Sequence, residues 1–330
     1  MQSVLAHVTR GDHVESLHHG SIAVVDSAGR LVAHSGDPDL FLYFRSSAKP
    51  FQAIPVIESG AADHFGFTPA ELALCCASHS GTPEHQRQVW AMLAKLGLDE
   101  TVLQCGSPSP YDEAAFAQVE AGNVPHSPTQ CDCSGKHTGM LAACLQLGYP
   151  IDSYLDPCHP LQRTILGLIA EVCEVEPDSI ALATDGCSLP TFGSTLRAFA
   201  RSYAVLAKPE IHTDSLTRLR DAMMAVPENV GGPGQFVTDL MAAGKGTIVA
   251  KSGAEGLICV GIPEQGLGIA LRIADGTFRA HPVVAAEVLR QLDVVPQLVT
   301  EEVLKLHDPT IYNHNRRIVG EIRPAFTLSA

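Results

Sequence analysis

Positive charge is scarce in this chain: 22 lysines and arginines stand against 36 aspartates and glutamates, a formal net charge of -14. That balance argues against nucleic acid and against anionic membrane surfaces as partners. No uninterrupted apolar stretch approaches the ~20 residues of a membrane span. No N-terminal segment joins a basic stretch to an apolar run and a cleavage site, so export is not expected. Internal repeats and low-complexity tracts are also lacking. Cysteine, by contrast, is plentiful, with ten in the chain. Cys75, Cys76, Cys144 and Cys173 sit in apolar, helix-like stretches, where a thiol packs as a small hydrophobe. Without an export signal the expectation is a reducing cytoplasm and no disulfide framework.

The chain has 330 residues, 45% of them hydrophobic, with 28 glycines and 22 prolines. Single cores stop growing near ~250–300 residues, so this length buries one large core or two packed lobes. Val4 to Ser35 alternates in short β-rich runs, with Gly20–Val25 and Leu31–Ala33 flanking the turn Asp26–Gly29, which predicts a hairpin. A helix is expected from Ser46, with Pro50 near its first turn. Thr68-Pro69-Ala70-Glu71 and Thr82-Pro83-Glu84 predict two capped helix starts. Ser107 to Ser127, rich in proline, glycine and polar residues, is expected as a surface excursion. Lys136–Leu147, Pro160–Val172, Thr191–Leu206, Thr213–Met224 and Val283–Leu292 predict further helices. Lys245–Lys251, Gly256–Val260 and Leu267–Arg272 predict a three-stranded antiparallel meander. Strands at both ends with helices between them predict an α+β fold. The expected organisation is one catalytic unit over 1–330 with two lobes, a sheet lobe from about 1–45 and 245–330 and a helical lobe from 46–244.

Three short segments carry the chemistry: Ser46-Ser47-Ala48-Lys49, Ser78-His79-Ser80 and Lys251-Ser252-Gly253. A serine hydroxyl is a poor nucleophile near neutral pH, and a deprotonated amine beside it can act as its base. Ser46 and Lys49, at i and i+3, share a face of a helical turn. The three segments repeat the order of S-x-x-K, S-D-N and K-T-G in serine β-lactamases and penicillin-binding proteins. Three such segments in that order point to a hydrolase with a serine nucleophile and lysine bases. Each piece also has a plainer reading, with Ser46 an N-cap and Lys49 a solvated helix residue. Against this, Phe44 and the Phe51–Val56 run carry the helix into the core. There desolvation is expected to lower the pKa of Lys49. A fall from ~10.4 to ~7.5 corresponds to ~4 kcal/mol in favour of the neutral amine.

Cys131, Cys133, His137 and Cys187 are the first side chains to consider as zinc ligands. Their spacing is not that of a zinc finger or ribbon, and a tight glycine turn with unpaired thiols is the alternative. Gly231-Gly232-Pro233-Gly234 lacks the G-K-[ST] ending of a phosphate loop and is expected to be structural.

The chain resembles the Rhizobium etli-type (class 3) L-asparaginases, the asparaginase II family, over nearly its whole length. The resemblance rests on Arg45-Ser46-Ser47-Ala48-Lys49-Pro50, Cys76-Ala77-Ser78-His79-Ser80-Gly81, Cys133-Ser134-Gly135-Lys136-His137, Asp185-Gly186-Cys187-Ser188-Leu189-Pro190 and Lys251-Ser252-Gly253-Ala254-Glu255-Gly256. It implies a serine β-lactamase/penicillin-binding-protein-like fold, an antiparallel sheet with a helical lobe, and a homodimer that hydrolyses L-asparagine to L-aspartate and ammonia. Ser46 with Lys49 would form one Ser-Lys pair, and Ser78 with Lys251 the other. Zinc would be held by Cys133, Lys136 and Cys187, with water completing the shell and Asp185 close by. Arg45, His79, Asp185, Ser252 and Gly253 would contact substrate, Arg45 at the substrate's carboxylate. Lys245 is a rival to Lys251. Alternatives are a glutaminase, a peptidoglycan-type or other serine amidase, and a zinc-dependent protein that binds an amino acid without turnover.

Overall fold

A computed structural model describes residues 2–330. The chain forms two compact units, one of residues 1–42, 194–208 and 239–330, the other of residues 43–193 and 209–238. The strands are β1 (Ser3–Arg10), β2 (His13–Val25), β3 (Leu31–Ser35), β4 (Phe41–Tyr43), β5 (Ala181–Thr184), β6 (Pro190–Thr195), β7 (Val249–Ser252), β8 (Leu257–Ile262), β9 (Leu267–Ile273), β10 (Thr310–Tyr312) and β11 (Ile318–Pro324).

The first unit is built on an eight-stranded antiparallel sheet. Its order is β10-β11-β1-β2-β9-β8-β7, with β3 paired to β2 beside this path. The expected hairpin and meander are both present in it. Asp26 N–H bonds to the Arg30 carbonyl and Gly29 N–H to the Asp26 carbonyl, closing the β2–β3 turn. Lys245 to Thr247 are turn residues, so β7 begins later than expected, at Val249. Helix Leu196–Ala207 packs on β2, β8 and β9. The approach is so close that a Cβ at Gly268 would lie 1.9 Å from the Ala200 carbonyl oxygen.

Thr191–Leu206, expected as one helix, is two elements. Pro190–Thr195 runs as β6, and the Thr195 hydroxyl then caps helix Leu196–Ala207 by accepting from Ala198 N–H. Thr, Phe and Thr suit a strand, and Thr195 is a natural N-cap, so the strand ends where the helix begins. This helix belongs to the sheet unit, not to the helical stretch in which the sequence placed it.

The second unit is mainly helical. Both capped starts are as expected: Thr68 and Glu71 form a capping box, and Thr82 pairs with His85 in the same way. The long helix expected from Ser46 is instead a 3-10 turn, Arg45–Ala48, followed by short helices Lys49–Gln52 and Ile54–Glu58. Pro50 and Pro55 lack the N–H groups a continuous helix would use, so the chain turns in steps. The expected excursion contains helix Glu113–Glu120, capped by the Asp112 carboxylate. Helix Ser134–Leu147 runs through the interior, buried from Ser134 to Cys144. Among the described residues, no helix is long and apolar enough to cross a membrane.

Candidate active site

The 3-10 turn begins at Arg45, whose φ of 49° is unusual for a side chain with a Cβ. Neighbouring β6 fixes it: Phe44 N–H donates to the Phe192 carbonyl and Arg45 N–H to the Thr191 hydroxyl. The guanidinium then meets Asp185, with Nε 2.8 Å from Oδ1. Asp185 and Arg45, both expected to bind substrate, are thus joined as an ion pair. One turn later Lys49 is completely buried.

Lys49 does not bond the serine that sequence spacing assigned to it. Its Nζ donates to Ser78 Oγ at 2.8 Å and lies 3.3 Å from Asp132 Oδ2, while Ser46 receives only the Lys49 backbone N–H at its carbonyl. The stepped backbone redirects the lysine toward the Ser78 turn. The expected fall in its pKa is also overturned. Burial does work against the charge, but Asp132 and the thiols of Cys133 and Cys187 outweigh it, and the ammonium is held above its ordinary pKa. A burial-only argument omits a carboxylate at contact distance.

Ser78 sits on a turn held from several sides. Its N–H donates to the Val230 carbonyl, and the next N–H, of His79, to the Asp132 carbonyl. His79, expected near substrate, is instead buried within the turn. Its Nδ1 accepts from Gly81 N–H, so Nε2 carries the proton and donates to Ser134 Oγ at 2.8 Å. Ser134 passes its own hydrogen to the Thr129 carbonyl. Burial pushes the His79 pKa down to about 3, so the ring is neutral. Its part is to tie the Ser78 turn to the start of helix Ser134–Leu147.

That helix start brings the expected metal ligands together. Cys133 precedes it and Lys136 stands in its first turn, where a Cβ at Gly135 would lie 2.4 Å from the Leu74 carbonyl oxygen. Glycine is required for that approach. Lys136 Nζ lies 3.3 Å from Cys187 Sγ. The turn Asp185–Leu189 presents Cys187 through Asp185 N–H to the Leu189 carbonyl and Ser188 N–H to the Asp185 carbonyl. Cys187 is pulled down to about 5, first by a hydrogen bond from the Cys133 thiol and then by the Lys136 ammonium, against the cost of burial. Burial opposes the charge on Lys136, but Cys187 and Cys133 outweigh it and raise its pKa. Two thiols and an amine in one buried cluster are a donor set suited to a borderline-soft cation such as zinc.

Of the other first-considered ligands, Cys131 lies beside Cys133, and the donor atoms of Cys131, Asp132 and Cys133 all fall within 4.8 Å of one another. His137 is not part of that group, and its Nδ1 is 2.7 Å from the Tyr154 hydroxyl. Asp132 is the residue that sequence reasoning passed over. Its signal was a carboxylate between two cysteines, just before a serine–glycine helix start.

Lys251, Ser252 and Gly253 belong to the sheet unit. Lys251 is fully buried on β7 and donates to the Ser252 carbonyl at 2.8 Å; Gly253 N–H closes the β7–β8 turn on Leu257. The rival Lys245 is exposed, at a turn with φ 47°.

A buried lysine hydrogen-bonded to a serine, beside a thiol–amine cluster and an Arg–Asp pair, is equipment for polar acyl chemistry. The chain matches the profile of the L-asparaginase II family over residues 6–324. It belongs to that family. No curated protein matched significantly. Among solved structures, the native form of Mglu is similar at 16% identity, with a TM-score of 0.45, over 84% of this chain and 62% of that one. The chain thus spans less than two thirds of the length of Mglu. A β-lactamase from Mycobacterium bovis is similar at 13% identity and a TM-score of 0.43, over 82% of this chain and 94% of that one. A Bacillus glutaminase is similar at 15% identity and a TM-score of 0.38, over 84% and 91%. The α+β architecture, a curled antiparallel sheet with a helical lobe, agrees with the fold class expected from the sequence.

Proposed function

We propose that the protein is an L-asparagine amidohydrolase that forms L-aspartate and ammonia through a serine ester. The observation that carries this is the 2.8 Å hydrogen bond between Lys49 and Ser78 inside a buried cluster of thiols and charges. Ser78 is the serine placed to attack the side-chain amide, and Lys49 takes its proton once the amine is neutral. Ser46, one turn before Lys49, is the second hydroxyl of the site and relays protons to the leaving ammonia. For Lys251, on β7 of the sheet unit, the family resemblance suggests the role of second base in the later, hydrolytic half of the reaction. Backbone N–H groups around the serines stabilise the oxyanion. Arg45, oriented by Asp185, receives the α-carboxylate of the substrate.

Cys133, Lys136 and Cys187 would hold zinc, and Lys136 must give up its proton to become a ligand, so metal uptake releases protons. A zinc ion held there would supply positive charge to offset the thiolates of Cys133 and Cys187, which help keep Lys49 protonated. The enzyme is taken as a cytoplasmic homodimer, which sedimentation of the full chain tests for assembly.

Ammonia release from L-asparagine, L-glutamine and a blank decides the main point. Release from asparagine well above both others is expected. Glutamine preference would make the protein a glutaminase, and binding of asparagine without release would make it a non-catalytic sensor.

A further inference from the structure

The groups that could meet an amino-acid substrate in the helical unit differ sharply in how far they reach toward solvent. Lys49, Lys136, Cys131, Cys133 and Cys187 are all buried. Asp132 is the anion of this cluster that stays partly open, its side chain 19% exposed against 0% for its partner Lys49. Asp185, the other carboxylate nearby, is 11% exposed, and its Oδ1 already takes both the Arg45 guanidinium and Gly186 N–H. The contacts of Asp132 are looser: Lys49 at 3.3 Å, Cys133 Sγ at 3.6 Å and Cys131 Sγ at 3.9 Å. Its backbone is fixed nevertheless, because the Asp132 carbonyl accepts His79 N–H beside Ser78.

A second feature faces the same place. Asp112 N–H donates to the Ser80 carbonyl at 2.8 Å, and a Cβ on Gly81 would lie 2.7 Å from Pro110 Cβ. The segment Pro110–Asp112 is therefore strapped to the Ser78 turn. Tyr111, between those two anchors, is 72% exposed, an unusual position for a large side chain held by such a backbone. The Asp132 carboxylate is the first cause of the raised pKa of the Tyr111 phenol, ahead of its burial.

We propose that Asp132 is the receptor for the α-ammonium group of the substrate, with Tyr111 as the aromatic wall beside it. This rests on reading the chain as an asparagine amidohydrolase. A free amino acid brings one negative and one positive charge to the pocket. Arg45 answers the first, and Asp132 is the accessible anion left to answer the second. An ammonium between a carboxylate and an aromatic ring is held by a charge-assisted hydrogen bond and by the ring's negative face. The consequence is selectivity for free α-amino acids over amides that lack the amine.

The test compares L-asparagine with succinamate, which has the same amide and carboxylate but a hydrogen in place of the α-ammonium. Ammonia release from each is measured for the wild type and for Asp132→Asn. Product binding is measured in parallel by calorimetry, with L-aspartate against succinate. The wild type is expected to favour the aminated member of each pair by about 10- to 100-fold, the worth of one charged hydrogen bond. In Asp132→Asn that preference should collapse toward unity, and Tyr111→Ala should reduce it by a smaller factor. An Asp132→Asn protein that keeps the wild-type preference for L-aspartate over succinate overturns the proposal, whether or not the variant is active. A wild type that shows no preference between the products overturns it equally. Absence of ammonia from L-asparagine itself overturns the hydrolase reading, and the calorimetric comparison still decides the role of Asp132.

Discussion

The sheet unit and the helical unit bury different chemistry. The sheet unit encloses mostly aliphatic side chains, such as Ile22, Val24, Ile258, Val260, Ile269 and Leu271, with Lys251 as its one buried lysine. The helical unit buries Lys49, Lys136, His79, His137, Cys133 and Cys187. Burying a charge is costly unless it is paired, and here each charge is answered by another: Lys49 by Asp132, Lys136 by Cys187, Arg45 by Asp185. The sheet unit is therefore specified by apolar pattern and backbone pairing. The helical unit is specified by partners that lie far apart in sequence.

That contrast governs what was legible in advance. The β2–β3 hairpin and the β7–β8–β9 meander follow from alternation and turn residues, which act between near neighbours. Of the residues named in advance, Cys133, Lys136 and Cys187 lie together, the lysine having been named through the family resemblance and not through spacing, and Arg45 lies against Asp185. The pairing of the serines was not legible. An i, i+3 spacing joins Ser46 to Lys49 only if the helix is continuous, and Pro50 and Pro55 break it into short steps. Nor was the charge state of Lys49 legible, because Asp132 is 83 residues away in the chain and arrives only through the fold. β10 and β11 also went unforeseen, being short and bounded by polar sequence.

The largest expected effect tests whether the two buried lysines, one in each unit, do the same job. Lys49→Arg keeps the positive charge that Asp132 demands but cannot release a proton. If Lys49 is a base, kcat falls by roughly 10²–10⁴-fold across alkaline pH. Lys251→Arg should fall comparably if it is the second base. Should Lys49→Arg keep substantial activity, the ammonium acts through charge alone and the serine is activated otherwise. Ser78→Ala should be as damaging as Lys49→Arg, and Ser46→Ala should also remove turnover if it relays protons.

Next comes the thiol–amine cluster of the helical unit. Cys187→Ala or Cys133→Ala should abolish zinc binding measured by elemental analysis, and raise KM for asparagine more than it lowers kcat. Full zinc occupancy in either variant would remove these residues from the ligand set.

A matched pair of glycine substitutions sharpens the comparison between units. Gly268→Ala drives a Cβ to 1.9 Å from the Ala200 carbonyl, forcing helix Leu196–Ala207 off β9. Overpacking of this kind costs about 1–3 kcal/mol, so thermal stability should fall in the first place. Gly232→Ala instead drives a Cβ to 1.8 Å from Ser80 Oγ, at a φ of 113° that disfavours any side chain. Because Ser80 is two residues from Ser78, activity should drop further than stability alone accounts for. Equal ratios of activity loss to stability loss in the two variants would deny the loop at Gly232 any part in holding the serine.

The smallest effect concerns a clamp peculiar to the helical unit. His212 lies 2.6 Å from Glu58 and 2.8 Å from Glu171, one carboxylate on each ring nitrogen, just before helix Thr213–Ala225. Burial works against the imidazolium, but the hydrogen bonds it donates to Glu171 and Glu58 outweigh it and raise the pKa above 6.5. A raised folded pKa means the folded state holds the proton more tightly than the unfolded chain does. Its contribution is therefore complete below the unfolded value of about 6.5 and is lost as pH rises through the folded one. The sign is opposite to that of the lowered carboxylates Asp63 and Asp275, which contribute above their unfolded values and fail only in acid. Melting of the wild type between mildly acidic and mildly alkaline pH should thus include a decline that His212→Gln lacks. With one partly exposed clamp the difference should be only a few degrees in a chain of this size. Parallel melting curves for the two proteins across that range would show that the imidazole sits between its carboxylates without stabilising the fold.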